Sequence, residues 1–589
     1  MDRAVPFATS EGIELYLRTY YSLLRSSGSI RVRSLEEAHI STNSSLHFKA
    51  ADPEPDISAF LYAWLRLPPE IVHVRYVLLG QSEDVFARRG YGAIESWRLV
   101  RAPARRRRMF YDDHENLACF IASVSDIDDL IPILTAFQIE WNKMHMRLRG
   151  SVLLQTIKQH HVQGKPLGDV EQEALQEILE MSSDDLEKLA GTWGSHLAER
   201  LEQIGQYEMN LFVNLLAGSR TDYRKATQGW WRTIEDRTAE ASQGRLDAAT
   251  VTRRPIYFVS SNTHSLPSAL CGFASQYRAE LLTFLETNNP ENLWQEAQTA
   301  QAIGSQGRLL NLLYYIQRFF LAERGHTQRM ADYRQAETAS GISTISTPAY
   351  LDVSSHIIEL NRIDPAKCDP RLQLPQMERL RQSEAIIINI DYPLGMAAYH
   401  ILAQVTTSVP ELRGAYFMGK AATLNGRVGD VMIPNVVYDE HSRNTFLFKN
   451  SFTAADVAPY LSFGSVFDNQ KAITVRGTFL QNREFMSIFY REGYTDIEME
   501  TGPYLSALYE DIYPQRYPQD EIVNLFINAP YDIGVLHYAS DTPYSRRQQL
   551  LSKSLSFFGV DATYATTIAI LRRIFKQEIE LVGEDRDAL

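Results

Sequence analysis

The sequence predicts an α/β domain with a mixed, largely parallel central sheet in the last third of a 589-residue chain, preceded by a large, mainly α-helical region. Two patterns carry that reading. After Glu384, short apolar, β-branched runs alternate with stretches of helical periodicity, as strands buried on both faces of a parallel sheet do. Before Gly341, apolar residues recur mostly at helical spacing, and a Ser-, Thr- and Pro-rich stretch holding Pro348, Pro365, Pro370 and Pro375 separates the two regimes. The expected organisation is a helical region over 1–345, divided into two subdomains at 250/251, a linker over 346–383, and the α/β domain over 384–589.

Along the chain, 11–26 and 126–149 read as helices, the second opening on an acidic cluster that suits a helix N-terminus. The stretches 171–181, 183–217 and 222–241 continue the pattern, with Ser182 to Asp185 as a cap and Trp230 and Trp231 as packing residues. At 255–259 a β-rich run meets a polar loop, followed by a helical stretch over 267–286. That loop either caps the helix or, with Ser261, Thr263 and His264 beside its first amides, holds an anion. Later strands are expected at 385–390, 414–418, 431–437, 472–475 and 533–539.

Composition excludes several classes of function. A net charge of -13 argues against general affinity for nucleic acid or an anionic membrane, because both need a broad basic surface. Arg101 and Arg105 to Arg108 are the local exception, read as a solvated or interface patch or as a phosphate contact. The three cysteines, Cys119, Cys271 and Cys368, lack any CxxC or Cys/His spacing, so neither a disulfide framework nor a metal site is expected, and no cofactor. The opening residues lack the apolar core of a signal peptide, and no apolar run approaches the roughly 20 residues needed to span a bilayer, which places the chain in the cytoplasm.

The chemistry-bearing motifs cluster in the C-terminal part. Asp391-Tyr392-Pro393-Leu394-Gly395 follows a strand, and Met418-Gly419-Lys420 opens a small-residue loop that leads to Gly429-Asp430-Val431. Phe479 follows a strand, Glu498-Met499-Glu500 precedes a helix, and Ser540-Asp541-Thr542-Pro543 closes an apolar run. Carboxylates beside buried apolar segments are costly, so Glu500 and Asp541 point to hydroxyl recognition or proton transfer. In order and type these motifs resemble the purine nucleoside phosphorylase and nucleosidase superfamily over about 384–577, and the Ser-Asp-x-Pro form is most like AMP nucleosidases.

The resemblance implies a phosphorylase-like α/β fold and a role for each residue. Amides at Gly395 would face phosphate or the attacking water, and the backbone at Gly419 would approach the ligand closely. Phe479 would stack on the purine, Met499 pack under the ribose, Glu500 bind its hydroxyls, and Asp541 act as general acid towards the departing base. Arg546 and Arg547, just beyond Asp541, either meet a 5′-phosphate or lie on a charged helix surface, Arg443 and Arg476 being weaker candidates, and Glu500 or Asp391 would serve as base. Tyr416 and Phe417 stand where phosphorylases carry a phosphate-binding arginine, which favours hydrolysis over phosphorolysis. The expected protein is a homo-oligomeric nucleosidase acting on a purine nucleotide or nucleoside; the alternatives are a phosphorylase and a non-catalytic nucleotide-sensing or assembly protein that keeps the fold.

Overall fold

A computed structural model describes residues 11–323, 327–347, 351–525, 529–542 and 557–587. They fall into two compact units: the first holds the described residues up to Ala226 together with Val475–Glu492, and the second holds Thr227–Thr474 and the described residues from Gly493 onward.

The first unit has the helices that the periodicity predicts, among them Glu11–Ser27, Val124–Leu148, Asp169–Leu179 and Ser183–Trp193. It also contains a six-stranded sheet that the sequence reading did not anticipate. Its strands are β1 (Ser29–Arg31), β2 (Tyr76–Gly80), β3 (Arg98–Ala102), β4 (Arg105–Tyr111), β5 (Asn116–Phe120) and β6 (Phe212–Leu215), in the order β1-β6-β2-β5-β4-β3. Strand β6 lies within 183–217, which was expected to be helical; four residues are too few to reveal a period of two.

The arginine cluster lies on and beside β4, and three of its members pair with carboxylates within the unit. Arg105 pairs with Asp129 at 2.5 Å and Asp126 at 3.1 Å, Arg107 lies 3.5 Å from Asp126, and Arg108 lies 3.0 Å from Glu83. Asp126 also closes a capping box with Ser123 and accepts the Ala122 N–H at 2.7 Å, so one carboxylate starts the Val124–Leu148 helix and neutralises the strand beside it.

The second unit is the α/β domain. Its strands are β7 (Ile256–Ser261), β8 (Ile342–Ile345), β9 (Ser355–Glu359), β10 (Ile386–Asp391), β11 (Leu412–Thr423), β12 (Val431–Asp439), β13 (Thr445–Leu447), β14 (Val466–Thr474), β15 (Asp496–Glu498), β16 (Ile522–Asn524) and β17 (Asp532–Asp541). They form one mixed sheet, β16-β13-β12-β14-β15-β11-β7-β10-β9-β8, with β17 paired to β11 and β12. The run β10-β7-β11-β17 is parallel throughout. Because β17 joins β11 to β12, the path β11-β17-β12-β14-β15 returns to β11 and closes a small ring.

This sheet corrects the expected boundaries. Strand β7 lies between β10 and β11, so the α/β unit takes in chain well before residue 384. Strand β9, in the stretch expected as a linker, pairs with β10 from Ile386↔Glu359 to Ile390↔Ser355. Helices inserted after β7 separate it in sequence from its partners, which made it resemble part of another domain. The stretch 504–525 supplies most of the helix Thr501–Ile512 and the edge strand β16, which pairs with β13.

Asp126→Ala would leave the buried Arg105 guanidinium short of a counter-charge and remove one half of the capping box that starts a 25-residue helix. We expect a loss of about 3–5 kcal/mol in urea unfolding of the first unit's transition, whereas Asp126→Asn, which keeps the shape, should lose less.

Candidate functional site

Strand ends gather the residues. Asp541 ends β17 and pairs with Ala422 of β11, whose other neighbour is Ile497 of β15, three residues before Glu500. The register on β11 passes from Ala421↔Ala539 to Ala422↔Asp541, so Ser540 is an extra residue and the bulge re-aims Asp541. The Ser540 hydroxyl donates to Asp541 Oδ2 at 2.8 Å.

Glu500 is half-buried at the N-terminus of the Thr501–Ile512 helix. Its carboxylate accepts a backbone hydrogen bond from Gly395, which joins the second sequence motif to the fourth. Gly395 has φ 52° and ψ -121° as it opens the helix Met396–Ser408, a conformation open to glycine and strained for other residues. Burial, together with the charge of Glu498, pushes the Glu500 carboxyl up to about 8.

Glu498 is the group that makes this turn. Its Oε2 accepts the N–H groups of Glu500 and Thr501, both at 2.7 Å, and its Oε1 accepts the Thr474 hydroxyl. Thr474 Oγ1 in turn accepts the Gly502 N–H at 2.8 Å. Three amides at the head of the helix are thus satisfied by side chains. Behind them, His537 of β17 donates Nδ1–H to Asp496 Oδ2 at 2.8 Å, and its Nε2 lies 3.0 Å from Thr501 Oγ1.

Other expected residues have mixed outcomes. Met499 is half-buried beside Glu500. At Gly419 an added Cβ would meet Tyr392 Cε1 at 3.5 Å, an ordinary contact, so protein packing alone does not require glycine there. Tyr392 and Tyr538 join hydroxyl to hydroxyl at 2.6 Å. Asp430 is buried and fixes its turn by accepting the N–H groups of Arg427 and Ser465, and Lys420 is exposed.

Phe479 requires a correction. After β14 the chain enters the first unit, where Phe479 is 1% exposed and enclosed edge-to-face by Tyr62, His39 and His47. It has no free face for a base. Arg476 likewise lies in the first unit, lining a groove of about 610 Å³ with Arg18, Arg25 and Tyr21. Arg546 and Arg547 lie outside the described residues. In the loop after β7, Asn262 Oδ1 accepts the N–H groups of His264 and Ser265, so this segment is a capped helix start.

His537, Asp496 and Thr474 were missed in the sequence. The available signal was a histidine inside the apolar stretch from Ile533 to Ala539, which must find a partner once buried. Among the described residues, no cluster of His, Cys, Asp or Glu side chains is arranged to hold a metal ion, and no helix is long and apolar enough to cross a membrane.

The chain belongs to a family of unknown function, DUF6909, whose model matches residues 32–576. No curated protein matches it. Similar solved structures include 5′-methylthioadenosine/S-adenosylhomocysteine nucleosidase from Neisseria meningitidis, at 10% identity and TM-score 0.27, covering 40% of this chain and 92% of that one. The corresponding nucleosidase from Campylobacter jejuni has 12% identity and TM-score 0.27, with coverage of 41% and 92%. Isoform 2 of uridine phosphorylase from Schistosoma mansoni has 9% identity and TM-score 0.27, with coverage of 55% and 90%.

The raised Glu500 carboxyl carries a stability signature. Between the ordinary value of 4.5 and about 8, the folded chain holds a proton that the unfolded chain has released, so stability falls as pH rises across that window. Glu500→Gln lacks this loss. Its Tm should exceed that of the wild type by roughly 2–4 °C at about pH 9 and converge towards it at about pH 5, as read by differential scanning fluorimetry.

Proposed function

We propose that the second unit cleaves the N-glycosidic bond of a purine nucleotide or nucleoside by hydrolysis, in the manner of an AMP nucleosidase, releasing free base and a ribose product. The observation that carries this reading is the placement of Asp541 and the Glu498-Met499-Glu500 turn on either side of the same β11 residue, Ala422. Two ladder steps separate their strands by about 10 Å, a span that suits a nucleoside laid between them.

In this reading Asp541 delivers a proton to the departing base while the carbon–nitrogen bond breaks, and water adds to the anomeric carbon. The proton lost by that water restores Asp541, so the step consumes one water and leaves base and sugar. Glu500 binds the sugar hydroxyls, and a carboxyl poised near neutrality is also matched to taking the proton from water and releasing it to solvent, from which Asp541 is reprotonated. The engagement of the Gly395 amide by Glu500 favours water over phosphate as the attacking group, because a protein carboxyl already uses the N–H that an incoming anion would seek. By the motif resemblance the protein would work as a cytoplasmic homo-oligomer.

Chromatography of free base released from AMP, adenosine, inosine and methylthioadenosine, with and without phosphate, tests the proposal. Release should occur without phosphate, and Asp541→Ala should reduce it by a factor on the order of 10²–10⁴ with folding preserved. Wild-type turnover in that variant would remove Asp541 from the chemistry, and strict dependence on phosphate would make the enzyme a phosphorylase.

A further inference from the structure

We propose that His537 is a positioning residue for Glu500: clamped between Asp496 and Thr501, it fixes the first turn of the Thr501–Ile512 helix against β17 and so aims the Glu500 carboxyl at the hydroxyls of a sugar. This rests on the reading of Glu500 as the sugar-binding group. His537 is 3% exposed, and both ring nitrogens are occupied, Nδ1 by Asp496 Oδ2 at 2.8 Å and Nε2 by Thr501 Oγ1 at 3.0 Å. Asp496 and His537 lie on strands that flank β11, opposite Thr423 and Gly419 respectively, so their bond joins two strands that are not ladder partners. The imidazole therefore ties β15, β17 and the helix together four residues before Asp541.

The link to Glu500 is short. Thr501 comes next in sequence, and the Thr501 and Glu500 amides share the same Glu498 oxygen, so a shift of Thr501 moves both ends of that turn. The charged groups facing His537 are Asp496 and Glu498 from β15 and Glu500 from the turn, while Thr501 approaches from the helix. Burial works against a charge on the ring, yet Asp496 and its hydrogen bond, with Glu498 and Glu500 nearby, hold it above its usual value. An imidazolium there is the counter-charge for a turn built from carboxylates.

The test uses the full chain as wild type, His537→Gln, Asp496→Asn and Glu500→Gln, with adenosine and 2′-deoxyadenosine as probes. If His537 aims Glu500, His537→Gln and Glu500→Gln both reduce the wild-type preference for adenosine in kcat/KM, each by about tenfold, since each removes the same hydroxyl contact. Loss of that preference in Glu500→Gln with full retention in His537→Gln would overturn the positioning role. Retention in Glu500→Gln itself would instead overturn the sugar-binding reading. A second readout needs no ligand and decides the matter if neither nucleoside is cleaved: amide hydrogen exchange across 500–504. His537→Gln should accelerate it by about tenfold or more beyond what its change in global stability accounts for, and Asp496→Asn, which preserves volume, stands in if His537→Gln fails to fold. Exchange equal to wild type in the folded variant would sink the inference.

Discussion

The head of the Thr501–Ile512 helix depends on one buried carboxylate. Glu498 takes two amides and the Thr474 hydroxyl, Thr474 takes a third amide, and the backbone between them is thereby forced into a tight turn. A helix start normally meets its orphan N–H groups with one short polar side chain or with water. Here the cap comes from outside the helix, from the end of β15, so strand and helix cannot move independently. Glu500 sits at that joint, and the burial that secures Glu498 also raises the Glu500 carboxyl to about 8. Structure and chemistry are therefore coupled: a looser turn would hydrate Glu500 and return it towards an ordinary carboxylate.

The strand path explains how such a polar interior is tolerated. Closing β11, β17, β12, β14 and β15 into a ring removes exposed edges and brings side chains from non-adjacent strands within hydrogen-bonding distance. His537 and Asp496 meet in this way, each satisfying part of the other's demand. An isolated charge in such a place would cost several kcal/mol, whereas a hydrogen-bonded pair with further partners recovers much of that. The bulge at Ser540 then changes the side-chain alternation just before Asp541, so a strand committed to a buried interior presents a carboxylate at its end.

Much of the C-terminal unit was legible because its signals are local. Apolar runs marked β10, β11, β12 and β17, and the acidic turn and strand-end aspartate stood out against them. The features that escaped are long-range. Strand β7 pairs with β10 across more than a hundred residues, and no pattern inside the hexapeptide Ile256–Ser261 names its partner. The excursion at Val475, which carries Phe479 into the core of the first unit, has the same character: a Phe after a strand looks alike whether it faces a ligand or other rings. Two strands of the first unit's sheet were hidden by their length, since β1 and β6 have three and four residues. His537 was visible as a letter, but its partners come from β15 and the Thr501–Ile512 helix, and only their convergence gives it meaning.

On the proposed reading, electrostatics bears on which group attacks the sugar. Asp496, Glu498 and Glu500 face the imidazole of His537, and Asp541 ends β17 opposite the β11 residue that also pairs with Ile497. Once Glu500 has ionised, a phosphate dianion about 4 Å from it would be repelled by roughly 4 kcal/mol at an effective dielectric of 20, which water would not be. It would also have to compete with Glu500 for the Gly395 amide, at the start of a helix where an anion would otherwise be welcomed. Water needs only a hydrogen-bond acceptor, and the raised Glu500 carboxyl becomes one as it ionises. On the proposed reading, the crowding that holds the turn together is also what selects water as the attacking group.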